Sequence, residues 1–573
     1  MEKREELISI LPFLPVVLQS SSLLWPSQVV EGLKALSRGP EHSEVDSGEV
    51  LFLAISDLRD SLCLSESLAV SAAEGYALFF DELMSRVESR KWFSEVLPSL
   101  AALLLRLPSL LDIHYQNADN LLGGVKTGLR IIGPQEAGIV FLSQELIGAL
   151  ITCSFFCLFP ITNRDAEDLP DINFNHLFAS IYTNYSESQE HKIKCIIHYF
   201  ERISSCMPTG CVSFERKLLS GKHVPFSVSY PDTEFWSKSA IPLCHFEVSH
   251  SGLIEDQLCE SLEVDFANKY IGGGALRRGC VQEEIRFVIN PELIAGMLFL
   301  PCMADNEAIE IFGAERFSNY TGYASSFHFV GDYVDEKPVD FMGRQKTRIV
   351  AIDALCSPGM RQYRPECLLR ETNKAFCGFF DQSKQHLYQE TFQVEAFCGD
   401  KNAQEFESHS GKAGSVQMDR PLSSPEGLND GASIAELINK SHIELSRQSK
   451  DPQDDIGIVT GNWGCGAFGG DPELKSIIQW LAASQFVMQS LVYTCLRRRI
   501  KTPFEAHWFK AFRPFILYCT FGEETLRNME QVTQWILLHE WTIGDLWNML
   551  SEYSSQRLKR KTNTGFFTWL LPS

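Results

Sequence analysis

One stretch constrains the possible folds more than any other: VDFANKYIGGGALRRGCVQEEIRFVIN, from Val264 to Asn290. Leu262, Val264 and Phe266 alternate with Glu263 and Asp265, the period of a half-buried strand. Gly272, Gly273 and Gly274 follow, where a backbone without Cβ atoms can approach a ligand closely or adopt φ > 0. Next come Gln282, Glu283 and Glu284, leading into Ile285, Phe287 and Ile289. On a strand, adjacent carboxylates would point to opposite faces. Both reach one site only at a loop end or in a first helical turn, where acidic residues are also electrostatically favoured. The stretch therefore reads as a strand, a glycine loop suited to phosphate and a pair of acids within reach of it. No Gly-Lys-Ser/Thr follows the glycines, and the spacing is not GxGxxG, so neither a nucleotide-hydrolase loop nor a dinucleotide fingerprint is present.

The surrounding chain changes texture near Phe226. Beyond it, short β-type runs are expected at His245–His250, Val264–Phe266, Ala308–Phe312, Arg348–Ile352, Ile456–Val459 and Phe515–Phe521, with helical patterns between them. That alternation predicts a mixed α/β sheet covered on both faces, with ligands beyond the carboxyl ends of the strands. Before it, apolar residues recur at helical spacing over Leu51–Leu64, Leu68–Phe80 and Ser99–Leu107. The expected division is a helical accessory domain over 1–228, a catalytic domain over 229–555 and a basic tail over 556–573, containing Arg557 to Lys561. Within the catalytic part, Gly399–Gly431 is polar and poor in large apolar residues, the composition of a disordered insertion. Helices are expected again at Ser433–Arg447, Pro472–Arg497 and Glu523–Glu552.

Composition narrows the ligand. With 73 acidic against 51 basic residues the formal charge is −22, which argues against general binding of DNA or RNA. A polyanionic ligand would have to be held by local backbone N–H groups rather than long-range attraction. The 17 cysteines include no CxxC, so free thiols in an intracellular, reducing compartment are expected and no metal site. The apolar run Leu146–Phe159 is too short to span a membrane and reads as a buried helix. His191 and His198 flank an amphipathic run and read as core-edge residues.

A second constellation, GNWGCGAFGGD from Gly461 to Asp471, follows the expected strand at Ile456–Val459 and precedes a helix. Its glycines can wrap an oxyanion, and both loop N–H groups and the helix dipole favour phosphate. Phe468 could cover a ribose or base from the loop's edge. Tyr320-Thr321-Gly322-Tyr323 adds flat faces suited to a purine.

The GGG–spacer–QEE order, with VDFAN before it and EEIRFVINPELI after it, resembles the signature of the poly(ADP-ribose) glycohydrolases. The resemblance extends over roughly Ile241 to Tyr553. It returns at Thr321 to Ala324, at Ile349 to Leu355, at Asn373 to Phe379 and in GNWGCGAFGGD, and the helix beyond Glu523 is also similar. The sequence departs from the family in the length of Phe380 to Asp455 and in the spacer Ala275 to Val281, where Arg277 and Arg278 are expected to alter contacts near the diphosphate.

The resemblance implies an α/β fold, a macrodomain-like three-layer α/β/α catalytic domain with an N-terminal all-helical accessory domain. It implies hydrolysis of ribose–ribose bonds in poly(ADP-ribose), through an oxocarbenium-like transition state. Glu284 would be the general acid and then the base, Glu283 would hold ribose hydroxyls, and Asp265 would orient the site. Asn268 and Gln282 would bond ribose or phosphate oxygens, alongside Gly272, Gly273 and Gly274. The loop Asn462, Trp463, Gly464, Cys465, Gly466, Ala467 and Phe468 would cradle the diphosphate. Tyr323 would stack on adenine, with Ile254 and Glu255 at its edge. No cofactor or metal is called for. The expected partners are the polymer and poly(ADP-ribosyl)ated proteins, met by a monomer in nucleus or cytoplasm, without membrane or direct nucleic-acid contact. Two other readings stay open: a non-enzymatic reader of ADP-ribose, which would not need both acids, and a hydrolase of mono(ADP-ribosyl) protein or a nucleotide sugar.

Overall fold

The computed structural model describes residues 4–571 apart from 123, 163, 221–228, 258–259, 381–456 and 499–514. The expected insertion at Gly399–Gly431 and the helix at Ser433–Arg447 lie outside the described residues. In chain order the strands are β1 (Val17–Gln19), β2 (Ser22–Leu24), β3 (Gly138–Ser143), β4 (Cys211–Leu218), β5 (His245–Ser249), β6 (Ser261–Asp265), β7 (Glu307–Phe312), β8 (Ser318–Thr321), β9 (His328–Asp332), β10 (Arg348–Ala351), β11 (Gly457–Gly461) and β12 (Phe515–Cys519). Two hairpins, β1–β2 and β8–β9, stand apart from one mixed sheet of order β3-β4-β7-β10-β6-β11-β12-β5.

Within this sheet β10, β6, β11, β12 and β5 run parallel, whereas β7, β4 and β3 continue it antiparallel. The period of two assigns alternate residues to opposite faces. Ile309, Ile311, Ile349 and Ala351 join a core shared with the amino-terminal helices. Ala308, Val350, Ile352, Ile458 and Ile516 join a second core under the Pro365–Phe379, Pro472–Arg498 and Ile543–Leu558 helices. Covered on both sides, the central strand β6 is buried at every position, including Glu263 and Asp265. All six strands expected beyond Phe226 are present.

The amino-terminal region is not all-helical. It lends β3 and β4 to the sheet, with Phe214 of β4 opposite Ile311 of β7. Residues 1–380 and 455–573 form one compact unit. Strand β4 carries Glu215, Arg216 and Lys217 in succession, which masks its period. Arg216 is buried against Glu307 at 2.5 Å and Lys217 against Glu310 at 2.5 Å, so the charges are neutralised inside the sheet.

The Gln144–Phe155 helix is buried along its length. A different stretch, Arg86–Ala118, is long and apolar enough to cross a membrane, with half of its apolar window buried within the protein. The carboxyl-terminal segment is more than a basic tail. Arg557 ends a helix with its guanidinium 5.0 Å from the Tyr363 ring centroid. Phe566 and Phe567 are buried, and the Phe567 N–H donates to Glu473 at 2.8 Å.

Candidate active site

The carboxyl ends of the parallel strands open onto one side of the sheet, and the loops that leave them are tied to one another. The backbone N–H of Ile352, after β10, donates to the carbonyl of Asp265 at the end of β6 (3.3 Å). Beyond β11, the Trp463 indole N–H donates to the Ile352 carbonyl (2.9 Å), and the Asn462 amide to the Thr520 carbonyl beyond β12 (3.0 Å). Thr520 in turn donates its N–H to Ser249 at the end of β5 (2.9 Å). The catalytic and substrate-binding residues expected from the sequence lie at the end of β6, on these loops, on the helix beginning at Gln282 or on the β8–β9 hairpin.

The acids sit in the first turn of the Gln282–Ile289 helix, and the glycine loop is wrapped around them. Glu283 accepts from the backbone N–H of Gly272 (2.7 Å) and of Asn268 (2.8 Å). Glu284 accepts from Gly274 (2.9 Å) and from its own N-cap, Val281 (2.9 Å). Gln282 accepts from Phe266 (2.8 Å) and donates to Val264 (3.2 Å), which pins the helix start to β6. The glycines are required by this packing. At Gly273, φ is +47° and a Cβ would lie 2.5 Å from Glu283 and 2.7 Å from Glu284; at Gly279 it would lie 2.6 Å from the Glu284 carboxyl carbon. The first glycine loop thus spends its N–H groups on carboxylates rather than offering them to phosphate, a use that spacing alone did not distinguish.

Burial sets the electrostatics. Asp265 is 1 % exposed and neither of its oxygens has a hydrogen-bond partner among the described residues. Burial pushes its pKa up to about 8, opposed by the Arg286 guanidinium and reinforced by Glu284. Burial, then Asp265 and Glu284, also raises the Glu283 pKa, against the pull of its two backbone donors. Arg286 is turned to Glu263, which also accepts from Lys337 at 2.6 Å, so a buried charged triad backs the acids. Burial in this corner of the fold thus favours the protonated form of Asp265 and of Glu283.

The second glycine loop is built differently. The backbone N–H groups of Gly464, Gly466, Ala467 and Phe468 have no acceptor among the described residues. Gly466 and Ala467 are exposed, and a Cβ on Gly466 would meet nothing within 4 Å. Such a set of unengaged loop N–H groups is suited to cradle an anion. Its side chains serve the loop itself. Trp463 is fully buried with Lys475 3.9 Å from its ring centroid, and Asn462 bridges Thr520 and the Tyr518 hydroxyl (3.1 Å). The thiol of Cys465, half-buried, is pushed up in pKa by burial. The following helix end is already capped, because Asp471 accepts from the N–H groups of Glu473 (3.0 Å) and Leu474 (3.3 Å). The cradle therefore rests on loop N–H groups, not on the helix dipole.

Tyr323 exposes its ring, 53 % of the residue being accessible, while its hydroxyl tucks against the backbone N–H of Gln282 within electrostatic reach of Glu284. The other tyrosine, Tyr320, is structural: its hydroxyl donates to Glu255, and Arg316 pairs with Asp256 at 2.9 Å. These two links fasten the tyrosine hairpin to the Ile254–Asp256 turn, in which Ile254 is buried. Neither link was foreseen. Arg277 and Arg278 do not face the cradle, as expected from the sequence, but the amino-terminal helices. Arg277 pairs with Asp171, and Arg278 donates to the carbonyls of Ser180 (3.4 Å) and Asn184 (2.9 Å). His191 stacks on His328 at 3.7 Å and His198 bonds Asp332 at 2.9 Å, both at the edge of the core.

Comparison with known proteins agrees with this geometry. Residues 233–502 match the model of the poly(ADP-ribose) glycohydrolase macro domain fold, and residues 84–216 match the model of that family's helical domain. The chain is 58 % identical, over all of its length and 98 % of the relative's, to poly(ADP-ribose) glycohydrolase 1 of Arabidopsis thaliana. It is 51 % identical, over all of its length and 99 % of the relative's, to probable poly(ADP-ribose) glycohydrolase 2 of the same plant. A poly(ADP-ribose) glycohydrolase 1 of Caenorhabditis elegans is 28 % identical over 74 % of this chain and 41 % of its own. With its acids held on one glycine loop and an anion cradle on the next, the chain belongs to the poly(ADP-ribose) glycohydrolase family.

Proposed function

We propose that this chain hydrolyses the ribose–ribose bonds of poly(ADP-ribose) with Glu284 as the proton donor. The observation that carries the reading is the pair of adjacent carboxyl groups fixed by backbone N–H groups at the carboxyl end of the central strand, beside a second loop whose N–H groups are free. Glu284 borders the exposed Tyr323, whereas Glu283 lies deeper. Glu284 therefore protonates the leaving ribose oxygen as the bond breaks, then takes a proton from the attacking water. Each oxygen of Glu283 keeps a further acceptor position for a ribose hydroxyl. Asp265, within electrostatic reach of both acids, orients the site. The diphosphate is held by the N–H groups of Gly464, Gly466, Ala467 and Phe468, and adenine lies on Tyr323 above the turn of Ile254 and Glu255. Poly(ADP-ribosyl)ated proteins are the physiological substrates, met in the nucleus or cytoplasm, where free thiols such as Cys63 and Cys206 persist.

Incubation with purified poly(ADP-ribose) tests the reading. Wild type should release ADP-ribose, and Glu284→Gln should bind the polymer while releasing it about 10³-fold more slowly, the scale of a lost general acid. Tight binding without release by the wild type would identify a reader instead.

A further inference from the structure

The amino-terminal helices touch the acid loop through one unusual side chain. Lys192, on the Glu187–Ser205 helix, is fully buried. It forms no ion pair with a carboxylate among the described residues; its Nζ instead donates to three backbone carbonyls, Gly274 (3.4 Å), Arg277 (2.9 Å) and Gly279. Three acceptors use all three hydrogens of an ammonium group, so the arrangement selects the charged form. A charge buried this way is tolerated only where its hydrogen bonds are complete. The same segment, Gly274 to Val281, supplies both N–H groups that hold Glu284. Its next neighbour along the helix turn, Gln189, donates to the Arg278 carbonyl at 3.1 Å.

We infer that Lys192 is a positioning residue for catalysis: its ammonium group clamps the carbonyls of the Gly274–Gly279 turn and so holds the Gly274 and Val281 N–H groups on the Glu284 carboxyl. The inference rests on Glu284 being the acid. It gives the helical region a part in the reaction beyond scaffolding, because the clamp and the acid belong to different layers of the fold. The groups facing the ammonium are few. Cys280 comes from the clamped segment, Glu284 from the helix that follows it and Cys195 from the lysine's own helix, and burial pushes both thiols up in pKa, that of Cys280 to about 11 and that of Cys195 to about 12, so they are neutral near pH 7. Burial also pushes Lys192 down to about 8, opposed by Cys280 and Glu284. Loss of its proton leaves two hydrogens for three carbonyls, and the clamp slackens.

Steady-state kinetics on the full-length protein decide the matter. Lys192→Met should lower kcat about 10- to 100-fold while leaving KM and the Kd for ADP-ribose within about threefold, since the cradle and Tyr323 are untouched. Lys192→Arg, which keeps a charge to high pH, should recover part of kcat and lose the fall in kcat that the wild type shows above about pH 8. A Lys192→Met protein with kcat within twofold of wild type overturns the inference. So does a parallel loss of kcat, ADP-ribose affinity and melting temperature, which marks a merely structural lysine. If Lys192→Met does not fold, Lys192→Arg decides: its kcat must hold to higher pH than that of the wild type at constant KM, and coincident profiles overturn the inference, because Asp265 is the same in both proteins. Activity retained by Glu284→Gln would instead defeat the assignment of the acid, whatever Lys192 does.

Discussion

The two glycine-rich loops look alike in sequence and do opposite things. Gly272 and Gly274 turn their N–H groups inward onto Glu283 and Glu284, while that of Gly273 closes the turn on the Tyr270 carbonyl, so this loop holds the acids. The loop after β11 leaves the N–H groups of Gly464, Gly466, Ala467 and Phe468 outward, so it can hold a ligand's phosphates. Glycine permits close approach in both, to the carboxylates of Glu283 and Glu284 at Gly273 and to Ala354 at Gly464. A run of glycines signals that something approaches the backbone. What approaches is decided by the next helix, which starts with two glutamates in the first case and with a self-capping aspartate in the second.

Changes to the inward loop should therefore damage turnover, and changes elsewhere should act on binding, stability or nothing. After Glu284→Gln, the largest effect is expected for Glu283→Gln. Its amide –NH₂ must face the N–H of either Gly272 or Asn268, donor against donor, and kcat should drop at least about 100-fold. Gly279→Ala drives a methyl to 2.6 Å from the Glu284 carboxyl and should lower kcat about tenfold, with KM nearly unchanged. Tyr320→Phe removes the hydroxyl that Glu255 accepts from. It should raise KM about fivefold, the scale of one hydrogen bond, and leave kcat within about twofold.

Asp265→Asn probes the buried charge through melting temperature rather than rate. The folded-state pKa of Asp265 is raised by burial to about 8, so the stability it contributes is greatest at low pH and is lost as pH rises from the unfolded carboxyl's range through about 8. The advantage of Asn over Asp should therefore grow by at most about 1.4 kcal/mol per pH unit up to about pH 8, then level off. A constant difference between pH 5 and 8 would contradict the protonated state of Asp265. The smallest effect is expected for Arg277→Ala. Both partners of its pair with Asp171 are about half exposed, and activity and melting temperature should stay close to wild type.

The parallel half of the sheet and the location of the site were legible because period-two strands and glycine runs are local signals. The Gln-Glu-Glu triplet before an apolar run placed both acids at a helix start, where the structure has them. Three features were hidden, each for a physical reason. Strand β4 carries three consecutive charged residues, and the partners of two of them, Arg216 and Lys217, lie on β7, far along the chain. Lys192 occupies a core-facing position among Gln189, Ile193, Ile196 and Tyr199, the one trace it leaves in the sequence, but its acceptors are main-chain carbonyls that no side-chain pattern reveals. Arg277 and Arg278 resemble phosphate ligands in any sequence, and only the packing of the helices beside the spacer shows that they are occupied.

The division between the loops is tested most directly by one pair of variants, Gly273→Ala and Gly464→Ala, measured for kcat on poly(ADP-ribose) and for ADP-ribose affinity. Both glycines have positive φ, +47° and +72°, and both Cβ atoms would collide, at 2.5 Å with Glu283 and at 2.4 Å with Ala354. Comparable strain should then give opposite results. Gly273→Ala is expected to lower kcat about 100-fold with ADP-ribose affinity within about threefold, and Gly464→Ala to weaken ADP-ribose about tenfold with a smaller change in kcat. If the two variants lose turnover and affinity in the same proportion, the loops do not divide the work.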